Sequence, residues 1–213
     1  MAGRFITIEG GEGSGKSTQA RMLGERLQQK GHRVLLTREP GGAPLAEEIR
    51  EFLLSGKAKH FGARGEAVLF AAARDDHIKN AIRPALAKGQ WVVCDRFMDS
   101  TRAYQGTAGG VKPQLLKALE RVIVGDTRPD LTLILDLPAR EGLERARARR
   151  QAEGGGDGDR FESMDEGFHE ALRQGFLSVA REEPGRCVVI DAQQNPSAVA
   201  EDVWEAVVQR LEP

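Results

Sequence analysis

The amino-acid sequence predicts an α/β fold in which a doubly wound, five-stranded parallel sheet is flanked by helices. Two observations predict this fold. Five short apolar runs are rich in β-branched residues, as expected of strands that are buried on both faces, and segments of helical periodicity lie between them. The apolar runs cover residues 5–8, 34–37, 91–94, 131–135 and 187–190. Ligands of such sheets bind beyond the carboxyl ends of the strands.

The helical segments that alternate with these strands cover residues 18–30, 45–54, 66–87, 114–124 and 196–211. The last should begin with Asn195 as its N-cap and Pro196 at the first helical position. A glycine-rich stretch at residues 154–158 interrupts an arginine-rich helix. We interpret it as part of a lid at about 144–161, so residues 1–213 are expected to form a single domain.

The composition of the chain limits the kinds of partner that it can bind. The chain has 31 basic and 32 acidic residues, so no overall positive field attracts nucleic acid. No apolar signal region is present at the start, and no run approaches the roughly 18 apolar residues of a membrane span. A cytoplasmic protein with no membrane partner is therefore expected. Cys94 and Cys187 lie in strand-like runs, which favours buried, reduced thiols.

The most informative motif is a phosphate-binding loop between the first strand and the first helix. Residues 10–17 read GGEGSGKS, which fits G-x-x-x-x-G-K-[ST] at every fixed position. Glycines let backbone N–H groups curl around an anion, and the helix that follows presents its positive end to the phosphates. Lys16 is expected to bridge the β- and γ-phosphates, and the Ser17 hydroxyl to hold Mg²⁺. The loop residues expected to contact a nucleoside triphosphate are Gly10, Gly11, Glu12, Gly13, Ser14, Gly15, Lys16, Ser17 and Thr18.

Charged residues follow the other strands. Asp95 ends the third strand, where an acid beside a phosphate loop commonly orients Mg²⁺ or its waters. Asp136 also ends an apolar strand and is a competing candidate. Arg96, which could hold a second phosphate, favours Asp95.

Arginines concentrate around the predicted lid. Such a run is usually a solvated helix face, but phosphoryl transfer needs cations around the transferring oxygens. Because the phosphate loop carries the acidic Glu12, those cations are expected from the lid. The candidates are Arg145, Arg147, Arg149, Arg150 and Arg160, with Arg149 and Arg160 preferred.

A second cluster could form an acceptor pocket. Phe70 and Arg74 are four residues apart and share a helix face. Phe70 alone would be assigned to the core. Together with polar groups after the third strand it could bind a base and a sugar; these groups are Ser100, Thr101, Tyr104 and Gln105.

These motifs together resemble those of bacterial thymidylate kinases over essentially the whole chain. The matching stretches are residues 7–18, 37–42 (TREPGG), 70–74, 95–101 (DRFMDST) and 103–106 (AYQG). The resemblance implies ATP-dependent phosphorylation of thymidine monophosphate (dTMP) to the diphosphate, a step in dTTP synthesis, with Mg²⁺, by in-line transfer with lid closure, in a homodimer.

The resemblance also implies roles for individual residues. Lys16 and Ser17 would serve ATP and Mg²⁺, while Arg38, Arg96 and Asp95 would organise the acceptor phosphate and the metal. Phe70 would stack on thymine, Arg74 would hydrogen-bond its ring, and Tyr104 would lie beneath the deoxyribose. The full set of implied acceptor contacts is Glu12, Arg38, Pro40, Phe70, Arg74, Arg96, Ser100, Thr101, Tyr104 and Gln105.

Two other functions compete with this one. The first is a P-loop kinase for a different nucleoside or nucleoside monophosphate, although Arg38 and Arg96 favour an acceptor that already carries phosphate. The second is a non-catalytic nucleotide-binding switch. The sequence has no D-x-x-G or N-K-x-D pattern, and a switch would need neither an arginine-bearing lid nor an acceptor pocket.

Overall fold

The computed structural model of the chain describes residues 3–152, 154 and 161–212. The five strands of the described chain are β1 (Phe5–Gly10), β2 (Val34–Arg38), β3 (Trp91–Asp95), β4 (Leu131–Asp136) and β5 (Cys187–Asp191). Each of the five predicted strands is confirmed, and each extends one or two residues further toward its carboxyl end. The added residues are charged or glycine positions, and Glu9, Gly10, Arg38 and Asp95 among them belong to the candidate site described below.

The strands pair in parallel in the order β2-β3-β1-β4-β5. Strand β1 therefore lies at the centre, between β3 and β4. The register pairs Ile8 with Asp95 and Gly10 with Leu135, which brings the start of the phosphate loop next to the end of β3. This order confirms the predicted doubly wound sheet and puts residues 9–17, 38–42 and 95–101 at one edge.

Helices connect the strands: α1 (Lys16–Gln29), α2 (Pro44–Leu54), α3 (Gly62–His77), α4 (Arg83–Ala87), α5 (Met98–Thr101), α6 (Pro113–Ile123), α7 (Ala139–Ala152), α8 (Glu166–Glu182) and α9 (Pro196–Leu211). Lys57–Phe61 is a 3₁₀ helix, and π-helical turns cover Ile78–Ile82 and Arg102–Ala108. The segment predicted as one helix over 66–87 begins at Gly62 and passes through the first π turn. Helix α9 starts as predicted, with the Asn195 side chain accepting from the N–H groups of Ser197 and Ala198.

Alternate side chains of β1 pack on opposite faces of the sheet. Ile6 and Ile8 join a core with Leu23 and Leu27 of α1 and with apolar residues of α9. Phe5 joins a second core on the other face, beside Ile78 of the π turn. Full burial of one such side chain stabilises a fold by about 1.5–3 kcal/mol. The central strand is thus fixed from both sides, which gives the phosphate loop a rigid base.

Two further expectations can be compared with the structure. Cys94 and Cys187 are buried and free, as predicted. Within the described ranges, no helix has both the length and the apolar character needed to cross a bilayer.

Candidate nucleotide site

The phosphate loop depends on its glycines. Gly10, Gly13 and Gly15 have φ values of 142°, 68° and 91°, a region that side chains rarely adopt. Space is also restricted, because a Cβ on Gly13 would lie 2.0 Å from the Gly142 carbonyl oxygen of α7. The loop is therefore packed directly against the first half of the arginine-bearing helix.

Lys16 is buried under this loop. Its Nζ donates to the Gly11 carbonyl oxygen at 2.6 Å and lies 3.4 Å from the Ser14 hydroxyl. Burial, with the nearby positive charge of Arg96, lowers the pKa of Lys16 to about 8. The ammonium group is thus held by neutral acceptors of the loop itself, bonds that an incoming phosphate can replace.

Ser17 and Asp95 form the candidate metal site. The Ser17 hydroxyl donates to Asp95 Oδ2, while Asp95 Oδ1 is buried and has no hydrogen-bond partner among the described residues. A hydroxyl and a carboxylate with an unused oxygen are ligands that suit Mg²⁺. The competing candidate, Asp136, instead forms a bidentate pair with Arg173 at 2.7 and 2.9 Å. The geometry thus favours Asp95 as the metal residue.

Arg96 lies where the acceptor cleft meets the phosphate loop. Its backbone is left-handed, with φ of 70°, an arrangement that costs energy for a residue other than glycine. Its Nη2 donates to Glu12 Oε1 at 2.8 Å, and its guanidinium lies 4.9 Å from the centroid of the Tyr104 ring. Burial raises the pKa of Glu12, but Arg96, Lys16 and the Tyr104 hydroxyl outweigh it and lower that pKa to about 2.

The Glu9 carboxylate fixes the turn that follows β3. Its carboxylate accepts from the Phe97 N–H at 2.8 Å, the Ser100 N–H at 3.3 Å and the Ser100 hydroxyl at 2.6 Å. Burial and the negative charge of Asp99 raise the pKa of Glu9 to about 7, although Ser100 and Arg96 oppose the shift. The sequence analysis assigned no separate role to Glu9.

The predicted acceptor residues lie together in one cleft, whose empty volume is about 540 Å³. Nine of the ten implied acceptor contacts line it: Glu12, Pro40, Phe70, Arg74, Arg96, Ser100, Thr101, Tyr104 and Gln105. Sequence reasoning missed five further lining residues, which are Glu39, Arg50, Leu54, Phe97 and Phe161. Glu39 could have been suspected because it follows Arg38 at the end of β2, whereas Phe161 gives no signal before the fold is known.

Arg38 is the implied acceptor contact that does not line this cleft. It lies in a neighbouring cleft of about 880 Å³ empty volume, together with Ser17 and Asp95. Its side chain is 56% exposed and pairs with Glu47 at 3.3 Å. The structure therefore places Arg38 beside the candidate metal residues and not in the cleft that the base-binding residues line.

The candidate lid arginines have different surroundings. Arg145 donates to the carbonyl oxygens of Ala192 and Gln193, so it anchors α7 to the loop after β5. Arg149 and Arg150 both pair with Glu162, the first at 3.2 Å. Arg147 is exposed, and Arg160 lies outside the described residues.

Comparisons with known proteins identify the family. The family model described as thymidylate kinase matches residues 8–203. A thymidylate kinase of Bradyrhizobium sp. (strain ORS 278) is 59% identical over 209 residues, which cover 98% of this chain and 91% of that protein. One of Nitrobacter winogradskyi is 58% identical, with 98% and 89% covered.

A solved structure also matches. The crystal structure of thymidylate kinase from Ehrlichia chaffeensis aligns with a TM-score of 0.78 at 32% identity, covering 97% of this chain and 100% of that chain. Fold, site and relatives agree, and the chain belongs to the thymidylate kinase family.

Proposed function

We propose that this chain transfers the γ-phosphoryl group of ATP to dTMP in the presence of Mg²⁺, with the residues brought together at the carboxyl edge of the sheet. Family membership identifies phosphorylation of thymidylate as the reaction. The donor, the metal, the lid and the residue roles are the proposed part. One observation carries it: nine residues implied as acceptor contacts line a single cleft that ends at the phosphate loop.

Residues on the donor side bind the triphosphate. Backbone N–H groups of the loop enclose its phosphates, and Lys16 exchanges its bond to the Gly11 carbonyl for the β- and γ-phosphate oxygens. Ser17 and the free oxygen of Asp95 would hold Mg²⁺, which neutralises charge that develops on the phosphates. This arrangement stabilises a transition state without a covalent intermediate.

Residues on the acceptor side hold the base, sugar and phosphate of dTMP. Phe70 stacks on thymine and Arg74 hydrogen-bonds its edge, while Tyr104 supports the sugar. Arg96 meets the acceptor phosphate near Glu12. Because these groups belong to packed elements, the acceptor oxygen is held in one orientation, and positioning of this kind can lower a barrier by several kcal/mol.

The lid supplies the remaining cations. We propose that residues 1–213 form a single kinase domain with a lid at about 144–161, from which Arg149 and Arg160 approach the transferring phosphoryl group. Closure would require Arg149, whose side chain is 55% exposed, to leave Glu162, which also pairs with Arg150. The homodimer and the cytoplasmic location stay predictions.

The family assignment argues against both competing interpretations, a kinase for a different acceptor and a non-catalytic switch. Tolerance toward deoxyuridine monophosphate (dUMP) is a separate matter. One missing methyl group in an apolar pocket lowers the rate by only about 10- to 200-fold. We therefore expect measurable but slower turnover of dUMP.

The test is ADP release with Mg²⁺ and ATP across dTMP, dUMP, the other deoxynucleoside monophosphates and thymidine. We expect fast turnover of dTMP and little of thymidine. In Lys16→Ala, kcat should fall by about 10³-fold or more, because the transferring phosphates lose their fixed cation. A preference for thymidine or for a purine monophosphate would overturn the acceptor assignment while leaving the phosphate-loop assignment intact.

A further inference from the structure

A buried chain of hydrogen bonds lies behind the base-binding arginine. Arg74 and His77 are three residues apart on α3, so their side chains leave the same helix face. Both reach the Glu39 carboxylate just after β2: Arg74 Nε donates to Oε2 at 2.7 Å, and His77 Nδ1 lies 3.0 Å from Oε1. On its other side, His77 Nε2 lies 2.7 Å from the Thr37 hydroxyl.

This relay is formed by Thr37, His77, Glu39 and Arg74, and all of its members except the half-buried Thr37 are buried. His77 is 0% exposed, and Glu39 and Arg74 are each 5% exposed. A neutral imidazole with its hydrogen on Nδ1 satisfies both contacts, because it donates to the carboxylate and accepts from the Thr37 hydroxyl. A Cβ on Gly42 would lie 2.4 Å from His77 Nε2, so the backbone closes directly over the ring.

The relay determines which hydrogens of Arg74 remain for a ligand. Besides the bond to Glu39, Nη1 donates to the Thr101 hydroxyl at 3.1 Å and Nη2 to the Phe97 carbonyl at 3.0 Å. A guanidinium has five N–H donors. Among the described residues, these bonds leave one hydrogen on each terminal nitrogen for a ligand in the cleft that Arg74 lines.

We propose that His77 is a positioning residue for recognition of the acceptor base, which acts by fixing the Glu39 carboxylate and, through it, the orientation of the Arg74 guanidinium. The inference rests on the proposed function in one respect, the role of Arg74 toward the base. Glu39 has two oxygens and each is held by one partner, so loss of His77 lets the carboxylate rotate about its own bonds. Arg74 then keeps its bonds to Thr101 and Phe97 but loses its fixed partner at Nε, so its guanidinium is held less tightly.

Base recognition acts in the ground state and the transition state alike, so its loss raises KM rather than lowering kcat. His77→Leu should raise KM for dTMP about 10-fold or more, with kcat and KM for ATP nearly unchanged, because the charge-assisted hydrogen bonds from Arg74 to the base lose their alignment. His77→Asn, whose amide nitrogen can replace Nδ1 toward Glu39, should recover most of the loss. A purely structural role predicts a lower kcat for less folded enzyme, with both KM values unchanged.

Thr37→Val is the milder variant, because it removes only the hydroxyl at the far end of the relay. We expect a smaller rise in KM for dTMP, about two- to fivefold. Its matched control is Thr127→Val, which removes a hydroxyl that accepts from Arg83 Nε at 2.8 Å, in a residue that is 8% exposed. The control should leave both KM values unchanged.

A double-mutant cycle tests the route through Arg74. The dissociation constant of dTMP is measured by calorimetry for the wild type, His77→Leu, Arg74→Ala and the double variant. If His77 acts through Arg74, His77→Leu weakens binding in the wild type and has no further effect in Arg74→Ala. Additive losses, or a His77→Leu enzyme with unchanged KM for dTMP, would overturn the proposal. A wild type that prefers another monophosphate would overturn the proposed acceptor instead, and the same cycle would then be measured with that monophosphate.

Discussion

The arginines of the acceptor cleft and those of the lid are held in opposite ways. Arg74 is almost entirely buried and pairs with the buried Glu39, and Arg96 pairs with Glu12 in surroundings where both side chains are mostly covered. The Arg149 side chain is 55% exposed, although its partner Glu162 is only 10% exposed. Breaking a buried pair leaves an uncompensated charge, whereas an exposed pair contributes only about 0–1 kcal/mol.

This difference in exposure indicates how the enzyme binds each of its two substrates. On the acceptor side, the arginines are already in place in the folded chain before a ligand binds. The cost of removing these charges from water is therefore part of the free energy of folding and not of ligand binding. Arg149 on the proposed lid is instead mostly exposed, so phosphate oxygens could reach its guanidinium. Binding of dTMP should therefore depend on the buried arginines alone, and phosphoryl transfer on both sets.

Arg96→Lys should weaken the acceptor side of the site. Of the variants proposed in this Discussion, it should have the largest effect. A lysine keeps the charge but loses the planar fork that reaches Glu12 and the Gly10 carbonyl together. It must also adopt the left-handed backbone of this position. We expect kcat/KM for dTMP to fall about 100-fold, measured by coupled ADP release. A loss below about threefold, in a variant with an unchanged melting temperature, would mean that Arg96 does not meet the acceptor phosphate.

Arg149→Ala should affect only the lid side. We expect kcat to fall about 10-fold or more, because a cation near the transferring oxygens is lost, while KM for dTMP stays the same. Arg140→Ala is the matched control: it lies on the same helix, and its side chain is 80% exposed and pairs with Glu144. Equal effects of the two variants would assign Arg149 to a solvated helix face.

Glu9→Gln sharpens the comparison through stability rather than through activity. The raised pKa of about 7 means that, between pH 4.5 and 7, Glu9 is protonated in the folded chain and ionised in the unfolded one. The folded state then binds more protons, so this group makes the unfolding free energy decrease as pH rises through that interval, by at most about 1.4 kcal/mol per pH unit.

The charged groups that act on Glu9 are Asp99 and Arg96, and both remain in the Gln variant. Urea unfolding of nucleotide-free enzyme at several pH values gives the difference between wild type and Glu9→Gln. We expect the variant to gain stability relative to the wild type between pH 4.5 and 7, with no further gain above pH 8. A difference that does not change with pH would show that Glu9 is ionised throughout.

Much of the fold could be predicted because its signals are local. The five strands are continuous apolar runs, and the cap of α9 lies in the residues Asn195 and Pro196 themselves. Helix α8 was not among the predicted segments, although Phe168, Leu172 and Phe176 lie four residues apart behind the Asp165 cap. The π turn at Ile78–Ile82 has no comparable signal, because it depends on how the helix packs on the sheet.

Site residues could be predicted where a sequence motif identifies them. Contacts between residues that are distant in the sequence could not be predicted. The acceptor residues came from motif resemblance, and all of them except Arg38 line one cleft. The relay behind Arg74 joins residues 37, 39, 74 and 77, whose contact requires β2 and α3 to be neighbours. The pairing of Arg149 with Glu162 likewise spans 13 residues of chain. Neither the relay nor this ion pair could be predicted from spacing along the sequence.

The most direct test of the account is calorimetric binding of dTMP to the enzyme in the absence of ATP and metal, for the wild type, Arg96→Lys and Arg149→Ala. We predict that the wild type binds dTMP, that Arg149→Ala binds it within about twofold of the wild-type dissociation constant, and that Arg96→Lys weakens binding about 10-fold or more. If dTMP fails to bind without ATP, or if Arg149→Ala weakens binding as much as Arg96→Lys does, the acceptor side is not complete by itself and the account is wrong.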